Sequence, residues 1–273
     1  MRLQEKLLQL KTRRKAILAA NFYNFETLSG ILQAASNLKM PVILQLSESS
    51  IRYMSLSIAA AMAKTAILEY GVEAWLHLDH GSSAEIVQRC LDEGFDSVMI
   101  DASERPLEEN IKITRHVVEI ASHYDACVEA ELGFVAKPGQ SQDKQLFTNP
   151  ADTATFVEKT HVNTLAIAIG STHGFYNQAP NLDIELLARI RETIHTPLVL
   201  HGCSGIPDTM LQEAITNGIC KINIATETKD TFMTALQERL RNNRNIDLRV
   251  VFPDATQAVV DLIEKKMNII NQA

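Results

Sequence analysis

Leu76-His77-Leu78-Asp79-His80-Gly81 sets a carboxylate and an imidazole side by side at the end of an apolar run that begins near Ala74. A short apolar run bounded by breakers reads as a strand buried on both faces of a parallel sheet. Polar groups at its C-terminal end stand where a ligand can reach them. Two later stretches repeat the form. Leu165 to Ile169 runs into Gly170-Ser171-Thr172-His173-Gly174, and Leu198-Val199-Leu200 runs into His201-Gly202-Cys203-Ser204-Gly205. Three strand ends therefore each offer one histidine beside glycine.

Toward the N-terminus the pattern predicts a lead-in helix over 2–13, a strand over 16–22 reaching Asn21, a helix over 26–37, a strand over 41–46 running into Ser47, and a helix over 56–70 closed by Gly71. Toward the C-terminus it predicts a helix over 83–93, a strand over 96–101 ending in Asp101, a helix over 107–124, and a strand over 126–131 carrying Glu129 and Glu131. A polar loop, 133–149, separates that strand from a helix over 151–160. Strands over 164–169, 197–201 and 220–224 then alternate with helices over 183–194 and 207–217, and helices over 228–241 and 255–270 finish the chain. Strands that alternate with helices build a parallel sheet, and eight such units predict an α/β fold closed as a (β/α)8 TIM barrel. The expected organisation is a single domain, 1–273, with an N-terminal lead-in helix and C-terminal helices. An open doubly wound sheet is the alternative; no G-x-G-x-x-G follows the first strand to support it.

The 273 residues are 46% hydrophobic and 22% charged, the balance of a globular protein. A formal charge of −7 with no Lys/Arg run excludes a nucleic-acid surface as the expected partner. Arg2, Glu5 and Lys6 interrupt the leucines at the N-terminus, unlike a signal peptide, and no stretch approaches the ~18 apolar residues of a membrane span. Cys90, Cys127, Cys203 and Cys220 are widely spaced without a C-x-x-C, which reads as buried free thiols in a reducing cytoplasm.

In a barrel of this kind catalytic groups stand at the C-terminal ends of the strands. His80, His173 and His201 all fall there, and three imidazoles with one open position describe a catalytic Zn2+ site. His77, alternating with Asp79, reads as an interior packing residue. His116, His123, His161 and His195 lie on helix faces or ends and read as solvated. Asp79 beside a ligand is placed for general acid/base work, or for accepting a hydrogen bond from a ligand histidine. Asp101 and Glu131 end neighbouring strands, either in support of the ligands or as an alternative metal site.

Gly202-Cys203-Ser204-Gly205 leads into a helix near Pro207, and Asn223-Ile224-Ala225-Thr226 closes the eighth strand. Loops after strands 7 and 8 commonly hold phosphate through backbone N–H groups and a helix N-terminus, though small residues there also serve ordinary turns. Gly174, without a Cβ, leaves room for a ligand to approach the backbone.

Taken together, LHLDHGSS (76–83), SVMIDAS (97–103), VEAELG (128–133), LAIAIGSTHGFY (165–176), PLVLHGCSGIP (197–207) and KINIATE (221–227) resemble the class II, zinc-dependent ketose-bisphosphate aldolases, closest to the tagatose-bisphosphate and fructose-bisphosphate subgroup. The resemblance implies an oligomeric barrel, a homodimer or homotetramer, that reversibly cleaves a ketose 1,6-bisphosphate to dihydroxyacetone phosphate and an aldehyde. It assigns proton transfer to Asp79 and zinc to His80, His173 and His201. Gly174, Gly202, Cys203, Ser204 and Asn223 through Thr226 would hold dihydroxyacetone phosphate, with Cys203 acting through its backbone. Asn21 and Ser47 match substrate-contacting positions, and a monovalent cation (Na+ or K+) near Gly174 and Ser204 accompanies the family pattern. Strand 6 offers no lysine for a Schiff base. The chain departs from the family after Glu131-Leu132-Gly133: in place of a Gly-Gly pair and acidic residues stands Phe134-Val135-Ala136-Lys137-Pro138-Gly139-Gln140, with Asp143 the sole carboxylate before Asn149. That departure opens a second reading, a catalytically idle relative that binds a phosphorylated sugar; a third reading, independent of it, is a zinc hydrolase on the same barrel.

Overall fold

The computed structural model describes residues 1–135, 146–176, 179–241 and 243–273. Strands β1 (Ile17–Asn21), β2 (Val42–Ser47), β3 (Ala74–Gly81), β4 (Ser97–Ile100), β5 (Cys127–Leu132), β6 (Thr164–Ile167), β7 (Leu198–Leu200) and β8 (Ile219–Ile224) close a barrel in that order, every neighbouring pair parallel. This is the expected (β/α)8 architecture. Along each strand alternate side chains turn outward, and Leu76, Leu78, Val98, Ile100, Val128, Ala130, Leu198 and Leu200 join one apolar layer beneath the helices. The inward set is different in kind. Its floor is apolar, its middle holds His77, Ser97, Glu129, Thr164 and Lys221, and its mouth carries Asn21, Asp79, Glu131, His201 and Asn223, all buried.

The lead-in helix α1 (Leu3–Arg13) closes the floor. Leu3 and Leu7 pack onto Ile17, Ile43, Trp75, Cys127 and Cys220, and the Trp75 indole donates to the Met1 carbonyl at 3.1 Å. Helices α2 (Phe25–Leu38), α4 (Leu56–Tyr70), α5 (Ala84–Asp92), α6 (Leu107–Ser122), α7 (Pro150–Thr160), α8 (Ile184–Thr193), α9 (Asp208–Thr216) and α10 (Thr226–Leu240) follow their strands around the outside. Asn24, Ser83, Asn149 and Asp183 start α2, α5, α7 and α8 by accepting from first-turn N–H groups. The C-terminal helix α11 (Leu248–Asn271) seals the seam by packing on α2 and α10. Gly30 lets α2 come that close, since a Cβ there would lie 2.9 Å from Val259.

Two elements depart from the periodicity. A short helix α3 (Glu48–Met54) follows β2, started by Ser47 as N-cap, where the sequence pattern gives no helical stripe. Helix α11 begins at Leu248 and not near 255, with Pro253 inside it. Asp247 caps this extension by accepting from the Arg249 N–H and pairing with its guanidinium, while Val251 is buried and Phe252 meets Phe232 edge-on. No single described helix is long and apolar enough to cross a membrane. All four cysteines are free and buried, and His116, His123, His161 and His195 are exposed, as expected. The distinctive loop, with Asp143, lies outside the described residues across 136–145; its flanks meet where Phe134 donates to the Leu146 carbonyl at 2.8 Å.

If α1 closes the floor, Leu7→Ala should cost about 2–5 kcal/mol in chemical denaturation, whereas Leu8→Ala on the solvent side of the same helix should stay within about 0.5 kcal/mol. Equal small losses would show that the helix does not carry the floor.

Candidate active site

Strand alternation places Asp79 inside the barrel and would send His80 outward among the helices. The chain avoids this with a β-bulge. Leu78 faces Val98 but Gly81 faces Ile100, so Asp79 and His80 together oppose one residue of β4. His80 takes a left-handed backbone, φ +52°, a conformation uncommon for a residue with a Cβ. Both side chains thereby reach the mouth.

There the three histidines converge. Ring centroids lie 4.9 Å apart for His80 and His173, 4.8 Å for His80 and His201, and 5.9 Å for His173 and His201. One nitrogen from each falls within 4.8 Å of the others, close enough to share a metal ion. The outer nitrogens say which atoms are available. His80 Nδ1 donates to Asp101 Oδ2 at 2.8 Å, leaving Nε2 inward, and His201 Nε2 donates to Glu129 Oε1 at 2.8 Å, leaving Nδ1 inward. The two inward nitrogens are 3.0 Å apart. Carboxylates behind ligand imidazoles are the usual means of fixing their tautomer and aim. The donor set therefore fits a tetrahedral ion of the zinc type, which would take the imidazoles in their neutral form, with a cavity beside them for a further ligand.

Asp79 adjoins this group, its Oδ1 3.9 Å from His80 Nε2. Asn21 Nδ2 donates to Oδ2 at 2.8 Å and Gln45 Nε2 to Oδ1 at 3.3 Å. Burial opposes ionisation of Asp79, but the charges of His80 and His201 and the Asn21 bond outweigh it and bring the carboxyl down to about 2. It is a held anion. Asp101 Oδ1 accepts from Ser103, which keeps Oδ2 on His80. Glu131 accepts from the Val135 N–H through Oε1, while its buried Oε2 meets no hydrogen-bond donor among the described residues. Burial and the nearby Asp101 charge push the Glu131 carboxyl up. His80, Asp101 and Glu131 form a second group whose ligand atoms lie close enough for a metal, so the two groups share His80.

Beside the histidines runs a cavity lined by Asn21, Asp79, Gly174, Gly202, Ser204, Asn223, Ala225 and Thr226. Most of the expected substrate residues thus share one wall with the histidines. Gly202 is required for backbone reasons: φ is +67°, and a Cβ would stand 2.4 Å from the Thr172 carbonyl. Three expected residues are engaged differently. Ile224 turns its side chain into the outer apolar layer, and only its backbone faces the mouth. Ser47, in register with Asp79, holds Ser50 at the start of α3. The Cys203 N–H donates to the Asn223 carbonyl at 3.2 Å, joining the loops after β7 and β8, and burial pushes its thiol up to about 12.

Four residues outside the expected set build the site. Glu129 and Gln45 hold His201 and Asp79. Lys221 pairs with Glu129 at 2.8 Å. The Tyr176 hydroxyl accepts from the Thr172 N–H and donates to the Gly202 carbonyl, at 3.0 and 2.8 Å, and so ties the loops that carry His173 and His201. Inward alternation flags Glu129 and Gln45 as buried polar side chains; nothing in the sequence marks Tyr176 or the inward turn of Lys221, which depends on a register shift in β8.

Comparison with known proteins agrees with this architecture. The family described as Fructose-bisphosphate aldolase class-II matches residues 1–273. The structure of the YdjI aldolase from Escherichia coli K12 is 33% identical, aligns over 98% of this chain and 96% of that one, and superimposes with a TM-score of 0.89. A putative fructose-1,6-biphosphate aldolase from Coccidioides immitis is 29% identical over 99% and 96% of the two chains, with a TM-score of 0.90. Fructose-bisphosphate aldolase (Fba) from Campylobacter jejuni, 22% identical over 98% and 94%, shares the fold with a TM-score of 0.85. The chain belongs to the class II fructose-bisphosphate aldolase family, and is a carbon–carbon lyase.

Proposed function

We propose that the protein is a zinc-dependent aldolase that reversibly cleaves a ketose 1,6-bisphosphate of the tagatose or fructose type, or a related phosphoketose, to dihydroxyacetone phosphate and an aldehyde. The observation that carries this reading is the anionic Asp79 set against three imidazoles in one barrel mouth. His80 Nε2, His201 Nδ1 and His173 would hold Zn2+, which when bound supplies a Lewis acid to polarise the substrate ketone. Asp79 takes the proton from the C4 hydroxyl as the C3–C4 bond breaks and returns it in condensation. Asn21 and Gln45 keep the carboxylate turned toward the mouth, so that proton transfer needs no rotation of the side chain. Asp101 and Glu129 orient their histidines, and Glu131 gives His80 a second set of partners.

Gly174, Gly202, Cys203, Ser204 and Asn223 through Thr226 would cradle the phosphate of dihydroxyacetone phosphate at the N-terminus of α10. A monovalent cation near Gly174 and Ser204, a homo-oligomeric state and a cytoplasmic location belong to the same proposal. The three histidines come from β3 and from the segments after β6 and β7, distant in sequence, and their convergence is what the metal centre of an aldolase would need.

Removing metal with a chelator should abolish release of dihydroxyacetone phosphate from a panel of phosphoketoses, followed by a coupled NADH assay, and Zn2+ should restore it. Activity that survives exhaustive chelation would refute the zinc requirement. Phosphosugar binding with no triose release from any substrate would favour the idle, sugar-binding reading. Asp79→Ala should retain zinc and lose turnover by about 10²–10⁴-fold, and unchanged kcat would remove Asp79 from proton transfer.

A further inference from the structure

Below the three histidines the barrel encloses a charged pair that proton transfer and substrate binding leave without a role. Lys221 and Glu129 are both 1% exposed, and the Lys221 ammonium lies 2.8 Å from Glu129 Oε2. The other carboxylate oxygen, Oε1, accepts from His201 Nε2 at 2.8 Å. On its far side the ammonium is 3.5 Å from His77 Nε2, and His77 Nδ1 is paired with the Ser97 hydroxyl at 2.8 Å. Ser97, His77, Lys221, Glu129 and His201 thus form one line through the barrel interior.

Such a pair is a poor device for stability. Taking two ions out of water costs several kcal/mol each, and an apolar pair of similar volume commonly serves as well or better. The fold nonetheless goes to some length to place it. Leu198 faces Ile219 but Val199 faces Lys221, so Cys220 is an extra residue in β8. Cys220 packs in the barrel floor, and without the bulge the next residue, Lys221, would turn out toward the helices.

The neighbourhood of His201 shows what the pair accomplishes. Two groups compete for Nε2: Glu129 Oε1 at 2.8 Å, which can only accept, and the Asn223 amide nitrogen at 3.1 Å, which donates. Glu129 places the ring proton on Nε2 and leaves the Nδ1 lone pair facing His80. Asn223 alone would favour the opposite tautomer, with a proton on Nδ1 where a metal ion must bind. Lys221 holds Oε2 from below, so that Oε1 points up at the ring. We infer that Lys221 is a positioning residue: acting through Glu129, it fixes the tautomer and aim of His201, and so sets the affinity of the site for a divalent metal. The inference rests on the reading of the three histidines as metal ligands, and extends the support of that site one residue deeper than the carboxylate in contact with it.

The test uses the full chain and Zn2+ alone, with a chromophoric chelator as competitor and 15N-histidine NMR as a second readout. In the metal-free wild type His201 should be protonated at Nε2. Lys221→Met should weaken Zn2+ binding about 10–100-fold. Glu129→Leu/Lys221→Met removes both charges at similar volume, so it should fold, move the His201 proton to Nδ1 and weaken zinc as much. A wild-type His201 protonated at Nδ1, or a folded variant with unchanged zinc affinity, would overturn the inference. Failure of the wild type to bind zinc at all would instead sink the metal reading beneath it.

Discussion

One backbone constraint governs the candidate active site: at position 80 the chain turns through a left-handed conformation one residue before the end of a parallel strand. Consecutive residues of a strand face opposite ways, so an Asp-His pair cannot ordinarily address the same space. The bulge between Leu78 and Gly81 breaks that rule at one point, and φ +52° at a β-carbon-bearing residue costs on the order of 1–3 kcal/mol. The surrounding structure holds it there. Gly81 leaves the strand close to the Met99 carbonyl, and the Gly81 carbonyl accepts from the Asp101 N–H at 2.9 Å, next to the carboxylate that orients His80. Strain, pairing and side-chain support coincide within a few residues.

The barrel divides its interior by chemistry. The floor is sealed with Leu3, Leu7, Ile17 and Trp75, which keeps water from entering beneath the charged middle. Above it, Glu129 accepts from Lys221 and His201 at once, and burial is outweighed by these partners, so its carboxyl stays well below the usual range. His77 answers the same surroundings in the other direction: burial first, and then the Lys221 charge, lower it to about 3, and it remains a neutral bridge. Each polar side chain in the middle meets a partner that suits the state it holds. A lone charge at the same depth would be far more expensive than this closed chain. The mouth is held from outside as well, where Tyr176 fastens two histidine-bearing loops to each other.

Much of this is legible in the amino-acid sequence, and for definite reasons. Buried parallel strands announce themselves as apolar runs, so the eight strands and their order follow from periodicity, and three histidines at strand ends follow from the same reading. Asp79, His80, His173 and His201 do meet, as do Asn21, Gly174, Gly202, Ser204, Asn223, Ala225 and Thr226 along the cavity. What escapes is whatever depends on register. No local pattern distinguishes a strand with a bulge from one without, so neither the inward turn of His80 nor that of Lys221 can be read from spacing. Helix α3 escapes because Glu48–Met54 is too short for a stripe, and the early start of α11 because Pro253 argues against it until Asp247 and Phe232 are seen beside it. The Tyr176 clamp is a long-range contact with no sequence signature.

The most direct measurement is a crystal structure of the zinc-loaded protein with data collected at the zinc absorption edge. A single anomalous peak at about 2.0–2.1 Å from His80 Nε2, His201 Nδ1 and a ring nitrogen of His173, with Asp79 beside it and not bound to it, is the result this account predicts. A peak held by Asp101 and Glu131 with His173 and His201 turned away, or no peak at the barrel mouth, would contradict it.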